Sequence, residues 1–289
     1  MNLKHLATLL AVLDEGSFEA AADVLLVTPS AVSQRIKALE AQVGRVLVRR
    51  TVPASATEAG EVLAQAARRM ALLQAETDAQ MRGRIARVPL SIAINADSLA
   101  TWFRPVFGVV AGWGGASLRL WVEDESQSLQ LLRRGDCLGA VTRESKPVSG
   151  CDVEPLGVMR YRAVAAPHLR DEYTNGGALD WAAMPVLRYG RHDKIQGQDL
   201  FGRVSELPSQ RRISQIPSSE GFLEAARAGL GWALVPDIQS RPLLESGELV
   251  LLDDRVSDVE LFWQHWRLES PLLMRLSDAV VEAAGAALG

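Results

Sequence analysis

Two short amphipathic helices joined by a tight turn are predicted between Ser17 and Thr51. Ser17 is a natural N-cap for the first helix, and Thr28-Pro29 restarts the chain with a capping hydroxyl and a proline at the first helical position. The second helix is predicted from Pro29 to Gln42, with an apolar stripe on one face and small polar and cationic residues on the other. This pattern is typical of a helix-turn-helix whose second helix enters the major groove of DNA.

The charge of the chain is spread unevenly, which bears on whether it can bind DNA. The whole chain has a net charge of −4, but residues 30–50 hold five cations against one acid, a local charge of +4. We expect Gln34 to read adenine, Arg35 to read guanine or a phosphate, and Lys37 to contact phosphate. The alternative is an ordinary solvated helix face. The full predicted DNA-contact set is Thr28, Ser30, Ser33, Gln34, Arg35, Lys37, Arg49 and Arg50.

A wing and a long helix are predicted after this motif. The apolar run 46–48, the basic pair Arg49-Arg50 and the loop that follows predict a strand, a basic tip and a return strand. The next helix is read from Thr57-Glu58 to about Ile85. Its apolar residues recur at a spacing close to a coiled-coil seam, which predicts pairing with a second copy of the chain; the alternative is a helix packed on its own domain. The predicted seam is Leu63, Ala67, Met70, Leu73 and Thr77.

The remainder of the chain predicts an α/β region. Strand-like runs alternate with helical stretches from residue 88 onward, which favours a largely parallel sheet. Apolar runs around Met159–Val164 and Leu261–Arg267 predict two segments that cross between two subdomains. The expected division is a head at 1–57, a linker helix at 58–87 and an effector region at 88–289, with subdomain I at 88–160 and 267–289 and subdomain II at 161–266.

Composition and motif searches exclude several classes. The four histidines are scattered, and no nucleophile elbow, phosphate loop or dinucleotide fingerprint occurs, so no enzyme activity, cofactor or metal site is expected. The two cysteines, Cys137 and Cys151, leave open a disulfide or two buried thiols, the second being favoured in a domain of this size. The N-terminus shows no signal peptide and no apolar run reaches membrane-spanning length, which favours a cytoplasmic protein without a membrane partner.

The ordered segment PSAVSQRIKALEAQVGRVLVRR, followed by TEAGE, resembles the N-terminal signature of LysR-type transcriptional regulators. The segments NADSLATWF, VEDE, LRRGDCLGAV and PSSEGFLEAARAGLGWALVP resemble the ArgP/LysG-like branch, which responds to lysine and arginine. The resemblance implies a winged helix-turn-helix head, a dimerising linker helix and an effector module like a periplasmic binding protein. It also implies a homodimer or homotetramer that activates genes of amino-acid export or metabolism, with operator DNA, a basic amino acid and RNA polymerase as partners.

An effector site is predicted where strands end and helices begin. NADSLATW follows a strand, so backbone N–H groups there suit a ligand carboxylate, and Trp102 could cover an apolar stem. A cationic side chain also needs anions, which the acids at 97, 123–125 and 220 supply, while SSEG provides a second turn of donors. The predicted residues are Asp97, Ser98, Thr101, Trp102, Glu123, Asp124, Thr142, Ser218, Ser219 and Glu220.

Each of these residues has a plainer interpretation. Asp97 or Ser98 could cap a helix, the acids after the second strand could be solvated, and Trp102, Trp113 and Trp232 could be core residues. Three other functions compete with a ligand-responsive regulator of this branch: a regulator with another effector, a transport solute-binding protein and an architectural DNA-binding protein without a ligand. The head argues against the transport protein, and DNA footprinting with and without lysine separates a switch from an architectural protein.

Overall fold

The computed structural model describes residues 1–82, 89–114, 116–190, 194–204 and 211–289. Its N-terminal head contains three helices and one small antiparallel hairpin, and the second and third helices and the hairpin are those that the sequence predicts. The helices are α1 (Leu3–Glu15), α2 (Phe18–Leu25) and α3 (Pro29–Val43), and the hairpin pairs β1 (Val48–Arg49) with β2 (Ser55–Ala56).

Local capping explains the boundaries of the head helices. The hydroxyls of Ser17 and Thr28 accept backbone N–H bonds at the starts of α2 and α3, at 3.0 and 3.2 Å. Gly16 and Gly44 follow α1 and α3 in the left-handed conformation, which costs glycine little. The predicted caps are therefore confirmed.

The long helix α4 (Glu58–Arg82) does not carry one continuous seam. Leu63 and Ala67 are buried in the core of the head, and Leu72 is fully buried in the core of the following region. Met70 and Leu73 are 37% and 43% exposed. The predicted seam is thus wrong at its first two positions, because they pack within the chain. The predicted end of the helix near Ile85 lies outside the described residues.

The rest of the chain forms two lobes joined by two long strands. The first lobe contains β3 (Pro89–Ile94), α5 (Ala96–Ala100), α6 (Arg104–Ala111), β4 (Ser117–Val122), α7 (Glu125–Arg134), β5 (Gly139–Thr142) and the C-terminal α12 (Pro271–Leu288). The connecting strands are β6 (Cys151–Ala165) and β12 (Val250–Trp266). The second lobe contains α8 (Pro167–Glu172), β7 (Thr174–Asn175), β8 (Ala178–Leu179), β9 (Val186–Arg188), α9 (Lys194–Phe201), β10 (Ile213–Gln215), α10 (Ser219–Arg227), β11 (Ala233–Pro236) and α11 (Asp237–Glu245).

The main sheet is mixed, and the prediction of a largely parallel sheet is wrong for it. Its strand order is β11-β6-β12-β5-β3-β4. Strand β3 is parallel to β4 and β5, whereas β12 is antiparallel to β5 and β6. The antiparallel part arises because the two crossing segments are themselves strands that pair with each other. Strands β9 and β10 form a separate parallel pair in the second lobe.

The large aromatic residues lie in the core of this region. Trp102, Trp113 and Trp232 are 3%, 6% and 0% exposed. Helix α12 returns to pack on α6, β6 and β12, as predicted. Cys137 and Cys151 are both buried and free, and burial raises the pKa of Cys151 to about 12. None of the helices in the described ranges is long and apolar enough to cross a membrane.

Candidate DNA-binding surface and effector cleft

Helix α3 separates its core face from its polar face as the sequence predicts. Val32, Ile36 and Leu39 are buried in the head. Among the predicted DNA contacts on or beside this helix, the half-buried ones are Ser33 and Arg35, and the exposed ones are Thr28, Ser30, Gln34 and Lys37. The guanidinium of Arg35 is partly engaged within the head, because Nη1 lies 3.4 Å from the Thr8 hydroxyl.

The hairpin is attached directly to α3. Glu40 Oε1 accepts the backbone N–H of Leu47 at 2.9 Å, which fixes the start of β1 against the helix. Arg49 and Arg50 are both exposed. The Arg50 guanidinium lies 4.9 Å from the centroid of the Phe18 ring, a cation–π contact that limits where this side chain points. The hairpin therefore presents two cations from a fixed position.

The carboxyl ends of β3, β4 and β5 meet at one edge of the sheet, since the three strands are parallel. Glu123 follows β4, and its backbone N–H donates to Ile94 O at 3.1 Å. Thr142 ends β5, is 1% exposed, and accepts the N–H of Glu144 at 3.0 Å. Glu123 and Thr142 therefore both lie at the carboxyl ends of these strands.

The turn into α5 corrects two predictions. Asn95 is the N-cap, with its Oδ1 accepting the Ser98 N–H at 2.8 Å, so neither Asp97 nor Ser98 caps the helix. Helix α5 has five residues, and the backbone N–H of Ser98 in its first turn is already bonded to Asn95. Trp102 packs edge-on against Phe103 inside the core, so its ring does not cover a ligand.

Asp97 connects the two lobes. Its Oδ2 accepts the Tyr161 hydroxyl of β6 at 2.9 Å, and its Oδ1 accepts the Ser219 hydroxyl of α10 at 2.9 Å. Ser219 is 4% exposed and also lies 3.3 Å from Gln239 Oε1. A half-buried carboxylate therefore stands between the first lobe, a connecting strand and the second lobe.

A second acid lies close to this contact. Glu220 forms an exposed ion pair with Arg104 of the first lobe, at 3.2 Å. The pKa of the Tyr189 phenol is raised by burial and by the negative charges of Asp97 and Glu220. Asp97 and Glu220 are therefore both close enough to Tyr189 for their charges to raise its pKa.

The other predicted acids and hydroxyls have local roles. Asp124 is exposed and caps α7 by accepting the Gln127 N–H at 3.1 Å. Ser218 caps α10 by accepting the Gly221 N–H at 3.2 Å. Glu123 is exposed, and the side chain of Glu125 lies outside the described part of the chain.

A cavity of about 490 Å³ opens beside the Asp97 contact. Its wall includes Thr101 and Arg104 from the first lobe, and Glu220, Leu223 and Gln239 from the second. The Thr101 hydroxyl donates to the backbone carbonyl of Asp97 at 2.5 Å. A space of this volume is sufficient for a small molecule.

Sequence reasoning missed four residues of this region. Tyr161 and Tyr189 lie within or directly after strands, and nothing in their local pattern distinguishes them from other strand residues. Arg104 and Gln239 lie in helical segments that carry no motif. These four residues lie at the cleft because of the tertiary fold, which their local sequence does not reveal. In the described ranges, no group of three or more His, Cys, Asp or Glu residues could hold a metal; His192 lies outside them.

Two family models match most of the chain: residues 3–61 match the bacterial regulatory helix-turn-helix protein, lysR family, and residues 90–285 match the LysR substrate binding domain. The chain therefore belongs to the lysR family of bacterial regulators. The predicted family membership, winged head and two-lobed effector region are confirmed.

The curated relatives are named transcriptional regulators. The chain is 62% identical over 284 residues to the lysine export transcriptional regulatory protein LysG of Corynebacterium glutamicum, covering 98% of each chain. It is 33% identical over 293 residues to the HTH-type transcriptional regulator ArgP of Vibrio cholerae, covering 100% of this chain and 98% of the relative. These relatives confirm the predicted ArgP/LysG-like branch.

Two solved structures of the Corynebacterium glutamicum LysG resemble this chain to different degrees. The full-length protein with bound effector Arg gives a TM-score of 0.80, and another full-length structure gives 0.66. Both are 62% identical and cover 98% of each chain.

Proposed function

We propose that this protein is a DNA-binding transcriptional regulator that responds to a basic amino acid, lysine or arginine, and controls genes of amino-acid export or metabolism. The observation that carries the proposal is Asp97, a carboxylate held between the two lobes beside a cavity. The similarity to a LysG structure with bound Arg supports the choice of ligand.

The head supplies the proposed DNA contacts. Helix α3 enters the major groove, where Ser30, Ser33, Gln34 and Arg35 face base edges or phosphates. Thr28, Lys37, Arg49 and Arg50 contact the phosphate backbone, which fixes the position of the head without reading sequence. The exposure of Gln34, Lys37, Arg49 and Arg50 supports this assignment.

The lobes supply the proposed effector site. Asp97, with Glu220 and Glu123 nearby on the two lobes, attracts the cationic group of the ligand. Helix α10 has nine residues, and its first turn at Ser218–Gly221 offers backbone N–H groups to the ligand carboxylate. Thr101, Ser98, Asp124 and Thr142 complete the proposed wall, and Tyr161 and Tyr189 join it on structural grounds.

Ligand binding acts through the angle between the lobes. A ligand that contacts both Asp97 and α10 favours the closure angle in which both contacts are made, and it shifts the population only by its differential affinity for the two arrangements. We propose that this angle sets the spacing of the DNA-binding heads in a homodimer or homotetramer. The exposed residues Met70, Leu73 and Thr77 of α4 are the proposed contact with a second copy.

The remaining expectations fit this proposal. The division at 1–57, 58–87 and 88–289, with subdomains at 88–160 with 267–289 and at 161–266, places the two proposed sites in separate parts of the chain. RNA polymerase is the proposed partner at the promoter, and the cytoplasm is the proposed location because the DNA is there.

Isothermal titration with charged ligands and neutral isosteres tests the proposal. Arginine is compared with citrulline, and lysine with 2-aminoheptanoic acid, in which a methyl group replaces the ammonium. Hydrogen bonds to a charged group contribute about 1.5–3 kcal/mol, so each neutral analogue should bind about 10- to 150-fold more weakly. Equal binding of arginine and citrulline would contradict a cation-selective cleft.

DNA binding is measured by fluorescence anisotropy on duplexes that the protein selects from a random-sequence library. We expect arginine or lysine to change the affinity for the selected duplex. An affinity that is unchanged at saturating ligand would support the architectural DNA-binding function instead.

A further inference from the structure

One face of α4 is docked on the effector region of its own chain. The central side chains of this contact are Gln65, Arg68, Arg69 and Leu72, at the i, i+3, i+4, i+7 spacing of a single helix face. Gln65 Nε2 donates to the Arg133 carbonyl at 2.8 Å, and the Arg69 guanidinium lies 3.7 Å from the Trp266 ring centroid. Leu72 is fully buried among first-lobe side chains. The linker helix is therefore attached to the lobe at its middle.

Arg68 lies where this face meets the head. Its Nη2 lies 2.5 Å from Asp14 Oδ1 in α1, and its Nη1 lies 2.9 Å from Asp136 Oδ1 in the loop between α7 and β5. Arg119 of β4 approaches the other Asp14 oxygen at 3.5 Å. One guanidinium thus joins an acid of the head to an acid of the first lobe.

The ion pairs of Arg68 are partly protected from solvent. The side chains of Arg68, Asp14 and Asp136 are 16%, 25% and 22% exposed. Burial raises the pKa of Asp136, and this effect outweighs the opposing attraction of Arg68. Removing the guanidinium would leave two partly buried carboxylates that face the same space, which is more costly than losing a surface pair.

The backbone of the first lobe lies very close to α4 beside Arg68. Gly135 has a φ of +74°, and a Cβ built on it would lie 2.8 Å from Gln65 Cγ. A neighbouring pair in the same interface, Arg134 and Glu61, is 3.7 Å apart with both side chains about half exposed. Arg68 differs from that pair because it joins an acid of α1 to an acid of the loop after α7, and because its side chain is only 16% exposed.

The geometry points to Arg68 as a positioning residue that fixes the DNA-binding head on the effector lobe of the same chain and so transmits ligand binding to the head. This inference rests on the proposed function, since it concerns how the ligand site communicates with the DNA site.

Four full-length variants test the inference: Arg68→Gln, Arg68→Lys, Asp136→Asn and the matched control Arg134→Gln. The dissociation constant of arginine is measured by isothermal titration, and the affinity for the selected duplex is measured with and without arginine. The ratio of the two DNA affinities reports the coupling, which is typically 5- to 150-fold in allosteric proteins. Thermal unfolding checks that each variant is folded.

We expect Arg68→Gln and Asp136→Asn to bring the DNA-affinity ratio at least fivefold closer to one, while arginine binds within twofold of the wild type. Arg134→Gln should leave both quantities unchanged. Arg68→Lys, which keeps the charge, should restore part of the ratio, an effect that a purely steric role of Arg68 would not produce. If Arg68→Gln does not fold, Asp136→Asn decides the question, because it retains the Arg68–Asp14 pair.

Two results would overturn the inference. The first is a DNA-affinity ratio in Asp136→Asn equal to that of the wild type. The second is a loss of arginine binding in the variants that accounts for their whole change in the DNA-affinity ratio. The wild-type measurements separate these results from a failure of the proposed function. A wild type that binds neither arginine nor a selected duplex would refute the function itself, whereas normal wild-type coupling with unaltered variants would refute only the role of Arg68.

Discussion

Replacing Asp97 with asparagine removes one negative charge and almost no volume. The carboxylate accepts the hydroxyls of Tyr161 and Ser219, each at 2.9 Å. An asparagine at this position has one acceptor oxygen, so one of the two hydroxyls would face an NH₂ group. The substitution therefore weakens the contact between the lobes as well as the attraction for a cationic ligand.

The expected magnitude follows from the charge that is lost. Two unit charges 4 Å apart attract by about 4 kcal/mol at an effective dielectric constant of about 20. Desolvation of the ligand offsets part of this energy, which leaves about 1.5–3 kcal/mol for a hydrogen bond to a charged group. We expect Asp97→Asn to weaken arginine binding about 10- to 150-fold, and to change citrulline binding much less.

Isothermal titration at 25 °C with arginine and citrulline measures both effects. The control is Asp152→Asn, which removes an acid of β6 whose carboxylate is bonded to Arg267, at 2.9 and 2.7 Å, and not to the residues that Asp97 contacts. Arginine binding by Asp97→Asn within twofold of the wild type would refute the assignment of Asp97 as the ligand's counter-ion. An equal loss of arginine binding in Asp152→Asn would show that the net charge of the protein, and not a contact in the cleft, controls the affinity for arginine.

The remaining predictions concern the head and the stability of the chain. Gln34→Ala should weaken binding to the selected duplex by about 1–3 kcal/mol, whereas Arg50→Ala should weaken binding to all duplexes alike and reduce the salt dependence; anisotropy at several salt concentrations distinguishes the two. Gly60→Ala places a Cβ 2.0 Å from the Leu47 carbonyl oxygen, so it should destabilise the head by about 3 kcal/mol or more in thermal unfolding. Gly285→Ala, with no atom within 4 Å of the new Cβ, should stabilise α12 by about 0.5–1 kcal/mol, and a loss of stability there would contradict this reasoning.

The docking of α4 changes how its pattern is interpreted. Its heptad-like spacing predicted a single seam for a second copy, but the helix contacts the head through Leu63 and Ala67 and the first lobe through Leu72. The linear pattern records that a position is apolar and does not record which neighbour covers it. Two partners within the chain, the head and the first lobe, cover different apolar positions of one helix, and their combined spacing resembles a seam.

The effector cleft shows the same limit at the level of single residues. The sequence indicated Asp97 and Ser219 as candidates, and the fold places them in direct contact although 122 positions separate them. Tyr161 was not identified, because a tyrosine in a strand has no local feature that indicates a binding role. Trp102 was assigned to the ligand, and the fold buries it in the core.

The sequence by itself determined the head, because caps such as Ser17 and Thr28 and stop signals such as Gly16 and Gly44 act over a few residues. It also identified the family, because the order of the motifs along the chain can be recognised without knowing the fold. Only the tertiary structure decided which acid stands between the lobes and which arginine joins the head to the effector region. Those contacts depend on long-range packing, where the partner of a side chain is set by the path of the whole chain and not by its neighbours in sequence.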